Sequence, residues 1–422
     1  MELTSQTIGT AVGWLGIGWV GAQGLLLAVR TLQQRLRARR KLEGQRAEFR
    51  RRVEAAARAA RAEKAAPDWE GWRPFRVAAI VDEARDVKSF YFAPADGRPL
   101  ARFAPGQYLT FRLPIAGSDA PLVRCYSLSD RPREDFYRCT IKRIGPPLGR
   151  PTVVPGRGSS YFHDVVKVGD VLSVRAPAGT FFVDPLDAEP IVLVGAGIGI
   201  TPLVSMLDAI IHAGRKREVY ALFGFRNGRD HPFKERLARL AGENPQIQLH
   251  VSYSAPRVDD VLYRDYSHLG RMTIDRVRAI LPSNNFRFFV CGPGAMMESL
   301  VPALWDWGVP ESHVLFEAFG PASVKRVAAG RAAGAAADSC SVRFERSGRA
   351  LMWDGSLGSL LEFGEAAGVV LPSGCRAGSC GECLVAIRSG KVAQLKRPGI
   401  TVPPGQCLTC LSIPIGELVL DA

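Results

Sequence analysis

The first seven residues contain neither lysine nor arginine, and the run from Ile8 to Val29 contains no charged residue. A cleavable signal peptide carries its positive charges before the apolar run, so their absence argues against one. A helix over these residues would span about 33 Å, which is enough to cross a bilayer. We therefore predict a transmembrane anchor over residues 1–29. The alternative is a glycine-rich helix that packs only on a partner.

Positive charge is scarce outside one short segment. Between Arg30 and Lys64 there are 13 Arg or Lys residues against 4 Glu, which accounts for most of the formal net charge of +14. The remainder is only mildly basic, so nucleic acid is not expected as a partner. By the positive-inside rule, basic residues after the apolar run predict a single crossing of the inner, cytoplasmic membrane, with the catalytic domains in the cytoplasm.

Proline is also absent from Arg30 to Ala66, where alanine, arginine and glutamate dominate. This composition predicts a basic helical spacer over residues 30–71. The helix would either contact anionic membrane lipid or be a solvated connection.

The number of cysteines is odd, so they cannot all pair in disulfides within the chain. There are nine, and six of them fall between Cys340 and Ala422. An odd number crowded into one part of the chain argues against the disulfide framework of a small secreted domain. It favours metal ligation in a reducing compartment.

Residues 72–186 consist of short alternating or β-branched runs broken by proline and glycine, which predicts an antiparallel barrel or sandwich. Within this region, "RCYSLSD" places the cation Arg124 beside the ring of Tyr126 and the hydroxyl of Ser127. These groups suit a flat, anionic ligand. Further on, "GRGSSYFHD" from Gly156 predicts either a loop that holds a second phosphate before a short helix, or an ordinary turn.

Residues 187–320 alternate buried strands with helices, which predicts a parallel sheet that binds a nucleotide at the strand ends. The segment "PIVLVGAGIGITP" passes from a strand through Gly195, Gly197 and Gly199 into a helix from Pro202. It lacks the usual GxGxxG spacing, because the third glycine comes one residue early. Its backbone N–H groups at a helix N-terminus still suit a pyrophosphate.

The motifs "RCYS", "GRGSS", "GAGIGITP" and "CGP", in that order, resemble the ferredoxin–NAD(P)+ reductase superfamily. The resemblance implies a flavin-binding barrel followed by a nicotinamide-binding α/β domain. It also implies that Cys291 lies beside the nicotinamide and Glu317 near the flavin, with Cys291 and Tyr126 as catalytic residues. The implied cofactor-binding residues are Arg124, Cys125, Tyr126, Ser127, Lys142, Gly158, Ser159, Ser160, Gly195, Gly197, Gly199, Thr201, Pro202, Cys291, Gly292, Pro293 and Glu317.

The sequence constrains less strongly which flavin and which nicotinamide nucleotide are bound. FAD is expected at the flavin site, with FMN as the alternative, because "RxYS" occurs with both. NADH is expected rather than NADPH, because after the strand "HVSYSAPR" only Arg257 offers a charge for a 2′-phosphate.

An Ala- and Gly-rich linker is predicted over residues 321–338, before a last domain over residues 339–422. There Cys375, Cys380 and Cys383 have the C-x4-C-x2-C spacing of plant-type ferredoxins, which predicts a [2Fe–2S] cluster rather than zinc. Cys410 is the expected fourth ligand. If "CLTCLSI" is a strand, Cys407 points to the opposite face and cannot reach the cluster.

The expected fold is therefore multidomain: a transmembrane helix, an antiparallel β-barrel flavin domain, an α/β nicotinamide domain and an α+β plant-type ferredoxin domain. This order resembles the reductase components of multicomponent oxygenases. It implies electron transfer from NADH through flavin and cluster to a protein acceptor, expected to be a membrane-bound oxygenase, demethylase or desaturase. A respiratory or quinone-directed NADH dehydrogenase subunit is one alternative. A non-catalytic redox-sensing or assembly subunit is another.

Overall fold

A computed structural model describes residue 69 and residues 71–115, 121–145, 156–214, 216–319, 339–355, 357–374, 376, 378, 381–395, 398 and 400–422. The predicted anchor, nearly all of the predicted spacer and the predicted linker lie outside these residues. No helix within the described ranges is long and apolar enough to cross a membrane. Pro67–Ala422 forms one compact unit.

The first domain is a six-stranded antiparallel sheet in the order β4-β3-β6-β1-β2-β5. A bridge between Leu128 and Cys139 links the two edge strands and closes the barrel. Side chains at the start of β1 alternate between buried and exposed, as expected for a strand with one face on a core. Trp69 packs against Phe75, so the barrel core begins three residues before the predicted boundary. The elements are β1 (Arg73–Ala84), β2 (Val87–Pro94), β3 (Tyr108–Leu113), β4 (Leu122–Ser127), β5 (Tyr137–Lys142), α1 (Arg157–Asp164) and β6 (Val171–Ala178).

The second domain is a parallel six-stranded sheet in the order β10-β9-β8-β7-β11-β12. Every residue of β8 is buried, because helices cover both faces of the sheet. One core contains residues of α2 and α3, and the other contains residues of α4 and α5. The elements are β7 (Ile191–Ala196), α2 (Ile200–His212), β8 (Val219–Phe225), α3 (Lys234–Glu243), β9 (Ile247–Tyr253), β10 (His268–Leu269), α4 (Ile274–Ile280), β11 (Arg287–Gly292), α5 (Gly294–Asp306) and β12 (Val314–Ala318).

The third domain is a five-stranded mixed sheet in the order β14-β13-β17-β15-β16, with one helix packed in its core. The start of the helix is capped by two hydrogen bonds, in which the Ser359 side chain accepts from Glu362 N and the Glu362 carboxylate accepts from Gly358 N. The elements are β13 (Cys340–Phe344), β14 (Arg349–Trp353), α6 (Leu360–Ala366), β15 (Leu384–Gln394), β16 (Gln406–Leu408) and β17 (Ser412–Leu420). The prediction of a barrel, an α/β domain and an α+β domain is confirmed.

Local details differ from the sequence-based expectation at three places. Helix α2 begins at Ile200 rather than Pro202, since proline is tolerated in the first turn of a helix. Helix α1 begins at Arg157, so Gly158, Ser159 and Ser160 lie in its first turn rather than in a loop before it.

The third difference is in "CLTCLSI", because the argument from alternating faces holds only if this segment is one strand. It is interrupted by a 3₁₀ turn over Thr409–Leu411. The N–H and the hydroxyl of Thr409 both donate to the carbonyl oxygen of Cys383, at 3.0 and 3.2 Å. The argument from alternating faces was therefore wrong, because the chain turns between Cys407 and Cys410.

Candidate functional site

The predicted flavin motif lies on β4, and helix α1 packs closely against it. A methyl group added at Gly158 would lie 2.8 Å from Cγ of Arg124 and 3.0 Å from the hydroxyl oxygen of Tyr126. Only glycine allows this approach of the helix to the strand. The contact brings together "RCYS" and "GRGSS", which are more than 25 residues apart in the chain, as the family resemblance requires.

The guanidinium group of Arg124 lies near those of two other arginines at this site. Burial lowers the pKa of Arg124, and the neighbouring charges of Arg376 and Arg157 lower it further. Such a cluster favours a bound anion, because phosphate oxygens neutralise the charges and accept their hydrogen bonds. Arg157 and Arg376 were not among the predicted site residues. Arg157 lies inside the "GRGSS" motif and Arg376 follows a predicted cluster ligand. Their positions beside these motifs could therefore have identified both as candidate site residues.

The two serines of the motif have different roles. The Ser159 hydroxyl donates to Gly156 O at 3.0 Å and accepts from Ile144 N at 3.1 Å, so it fixes the start of the helix. The Ser160 hydroxyl oxygen is buried, yet it has no hydrogen-bond partner among the residues that the structure describes. A buried polar atom of this kind needs a partner, and a phosphate oxygen of the flavin would supply one. The residues present therefore fit a flavin nucleotide.

The other residues of β4 and β5 differ in what they contact. The Tyr126 ring lies edge-on to Phe162, with ring centroids 5.1 Å apart, and burial raises the pKa of its hydroxyl. The Cys125 thiol lies 3.3 Å from the Thr110 hydroxyl on β3, on the other side of the strand from Arg124 and Tyr126. Lys142 is the last residue of β5. The cofactor roles of Cys125 and Lys142 stay predictions.

The glycine-rich loop of the second domain packs directly on the chain after β11. A methyl group at Gly199 would lie 2.4 Å from the carbonyl oxygen of Cys291 and 2.6 Å from Cα of Gly292. Gly197 has a φ of +55°, and a methyl group there would meet nothing within 4 Å. One side of the loop is therefore packed tightly against Cys291 and Gly292. The backbone at Gly197 is open, as a nucleotide phosphate would require.

Two of the predicted nicotinamide residues support the loop itself. The Thr201 hydroxyl donates to Ile198 O at 3.0 Å, and Pro202 is buried in the first turn of α2. Pro293 precedes the first residue of α5. Their contacts within the described chain position the loop, and direct contact with a nucleotide stays a prediction.

Gly199→Ala tests whether this loop holds the nucleotide. The added methyl group must push the loop away from Cys291, so we expect NADH to bind about tenfold more weakly with flavin content unchanged. Gly242→Ala in α3 is the matched control, because a methyl group there meets nothing within 4 Å. Fluorescence titration with NADH measures both. Equal affinity in Gly199→Ala and the wild type would contradict the assignment.

Strand β4, which carries the flavin motif, meets strands β7, β11 and β12 of the second domain at one point. Cys291 on β11 pairs in register with Gly195 on β7 and with Glu317 on β12. The Ser127 hydroxyl, at the end of β4, donates to the Glu317 carboxylate at 3.4 Å. The Cys291 thiol is fully buried, and burial together with Glu317 raises its pKa, so it is a neutral group. Four residues predicted separately thus lie at the junction of the first two domains.

In the third domain, two predicted cluster ligands lie side by side. The sulfur atoms of Cys383 and Cys410 are 3.1 Å apart and both residues are buried. Cys407 is buried in β16 opposite Val385, and burial raises the pKa of its thiol to about 12. Cys375 and Cys380 lie outside the described residues. Two thiols this close, beside the C-x4-C-x2-C loop, fit the thiolate donor set of a [2Fe–2S] cluster.

The described part of the loop before Cys383 has an unusual backbone. Arg376 and Gly378 have φ angles of +53° and +76°, and a methyl group at Gly378 would lie 2.0 Å from the Leu411 side chain. Left-handed residues allow a loop to present backbone N–H groups to a bound group, which suits the sulfur atoms of a cluster. Arg376 is held in place by its ion pair with Glu365 of α6.

Three protein families match the chain in the predicted order. Residues 74–183 match the oxidoreductase FAD-binding domain, residues 193–301 the oxidoreductase NAD-binding domain, and residues 345–414 the 2Fe-2S iron-sulfur cluster binding domain. The prediction of FAD, a nicotinamide nucleotide and a [2Fe–2S] cluster as cofactors is confirmed.

Known proteins are similar to different parts of the chain. A flavohemoprotein of Bacillus cereus is 37% identical over 267 residues, which are 62% of this chain and 65% of the relative. The chain thus covers less than two thirds of that protein. The FAD/NAD-binding domain of a nitric oxide dioxygenase from Vibrio cholerae is 33% identical, with a TM-score of 0.52 over 59% of this chain and 99% of its own.

A solved structure of another reductase is similar to this chain across all three domains. It is a phthalate dioxygenase reductase, described as a modular structure for electron transfer from pyridine nucleotides to [2Fe-2S]. It is 26% identical, with a TM-score of 0.50, and the match covers 84% of this chain and 98% of that protein. This chain therefore shares the order and the folds of its three domains.

Proposed function

We propose that this chain, which belongs to the oxidoreductases with linked FAD- and NAD-binding domains and carries a 2Fe-2S domain after them, is an electron-transfer reductase. Electrons would pass from NADH through FAD and the cluster to a separate protein acceptor. The junction of Ser127, Glu317 and Cys291 is the observation that carries this proposal. It joins the end of the flavin strand to the strand ends where the nicotinamide is expected.

The cofactors would differ in how many electrons they transfer at a time. A hydride carries two electrons and the cluster accepts one, whereas the flavin can accept two electrons together and pass them on singly. The chain's own residues supply position and charge. Arg124, Arg157 and Ser160 would hold the flavin phosphates. The buried, neutral Cys291 would exclude water beside the nicotinamide without adding a charge.

The acceptor in this proposal is a membrane-bound oxygenase, demethylase or desaturase. Two observations support it: the three-domain order resembles that of the phthalate dioxygenase reductase, and an uncharged segment precedes a basic one at residues 8–64. Anchoring in the inner, cytoplasmic membrane would raise the concentration of reductase near such an acceptor. Membrane lipid would then be a second partner of the chain.

The membrane part of the proposal is tested by removing residues 1–66. The full chain should sediment with vesicles that contain anionic lipid. The shortened chain should stay in the supernatant and oxidise NADH with ferricyanide at the same rate, since every cofactor motif follows residue 66. A full chain that fails to bind the vesicles would overturn the anchor. Loss of FAD from the shortened chain would overturn the domain boundary instead. Negligible NADH oxidation by both proteins would favour a redox-sensing subunit.

A further inference from the structure

One ion pair connects the cluster domain to the flavin barrel. Arg175 on β6 and Glu382, in the turn before β15, approach to 2.8 Å between a guanidinium nitrogen and a carboxylate oxygen. Their side chains are 33% and 20% exposed, so both groups have lost much of their hydration. Partly buried pairs are screened less by salt than exposed ones, and their geometry is better defined.

The arginine of this pair is held by an aromatic ring. The Arg175 guanidinium carbon lies 4.6 Å from the ring centroid of Trp72, and the Arg112 guanidinium carbon lies 4.3 Å from the same centroid. Cation–π contacts at these distances restrict the rotamers of an arginine side chain. Arg175 is therefore oriented by the barrel itself, and less conformational entropy is lost when it binds Glu382.

The glutamate of the pair is adjacent to a predicted cluster ligand. Glu382 immediately precedes Cys383, whose sulfur lies 3.1 Å from that of Cys410. Because the two residues are neighbours in the chain, a shift of Glu382 would move Cys383 with it.

We propose that the Arg175–Glu382 ion pair is a positioning contact that sets the distance between flavin and cluster for electron transfer within the chain. This inference rests on the proposed reductase function. The step that it serves would move one electron from the flavin reduced by NADH to the oxidised cluster, and the second electron would follow once the protein acceptor has reoxidised the cluster. The pair lies between the flavin barrel and the cluster domain, so it acts on the second transfer and leaves flavin reduction unchanged.

Stopped-flow absorbance under anaerobic conditions tests the proposal, because it separates flavin reduction by NADH from the later reduction of the cluster. Arg175→Gln and Glu382→Gln should each slow cluster reduction by about tenfold and leave flavin reduction at the wild-type rate. The exchanged double variant, Arg175→Glu with Glu382→Arg, should recover most of the rate. Arg346→Gln, which breaks the exposed ion pair with Asp421, is the matched control and should change neither phase.

Two further measurements separate positioning from an effect on the cluster itself. Hydrogen exchange should rise in peptides that cover β6 and the loop before β15 in both single variants, and return in the exchanged variant. The reduction potential of the cluster should stay unchanged in Arg175→Gln, because Arg175 belongs to the other domain. Wild-type cluster-reduction rates in both single variants would overturn the inference. A wild-type chain whose cluster is never reduced by NADH would overturn the proposed function instead.

Discussion

Cys410→Ser is expected to abolish the electron paramagnetic resonance signal of the reduced [2Fe–2S] cluster, whereas Cys407→Ser is expected to retain it. The reason is geometric, since the Cys410 sulfur lies 3.1 Å from that of Cys383 and so would hold the cluster together with it. Cys407 lies instead within the ladder between β15 and β16, opposite Val385. It behaves as a small buried apolar residue.

Dithionite-reduced samples of the two variants provide the measurement, with iron content determined on the same samples. Flavin reduction by NADH should continue in both variants, because the flavin and nicotinamide residues belong to the other two domains. That reaction is therefore the internal control for folding. A cluster lost from the Cys407 variant and kept in the Cys410 variant would reverse the assignment of the fourth ligand.

Arg124→Ala is expected to empty the flavin site. A charge-assisted contact with phosphate contributes about 1.5–3 kcal/mol, which corresponds to a loss of FAD affinity of roughly 10- to 100-fold. Ser160→Ala should weaken FAD binding in the same direction by a smaller factor, since it removes one neutral hydrogen bond from a buried site.

The flavin content of the purified variants, read from their visible absorption, checks this prediction. Arg143→Ala is the matched control, because Arg143 lies nearby after β5 but pairs with Asp164 at an exposed position. The cluster absorption should persist in all three variants. Normal flavin content in Arg124→Ala would remove this residue from the site.

The parts of the fold that the sequence could predict are those with local signals. The buried strand before Gly195, the "RCYS" strand and the cysteine spacing each depend on residues within a short window. Their order along the chain was enough to identify the three domains. The position of Glu317 near the flavin is implied by the family resemblance and stays a prediction, while the structure shows its carboxylate accepting a hydrogen bond from Ser127.

Other features depend on contacts between distant segments, which no local pattern reports. Ser159 and Ser160 are neighbours of the same type. Only the packing of α1 against Ile144 distinguishes the hydroxyl that fixes the helix from the one that has no partner among the described residues. The turn between Cys407 and Cys410 forms because Thr409 binds the backbone of Cys383, in a segment over 20 residues earlier. The ion pair of Arg175 and Glu382 joins two domains, and no sequence pattern around either residue predicted it.

The central claim is that one chain conducts electrons from NADH through FAD to the [2Fe–2S] cluster, and an anaerobic titration tests it most directly. NADH is added stepwise to the purified protein while the flavin absorption and the paramagnetic resonance signal of the reduced cluster are recorded on the same samples. We expect the flavin to be bleached and the cluster signal to reach the intensity obtained with dithionite. A flavin that is fully reduced by NADH beside a cluster that gains no signal would contradict the account.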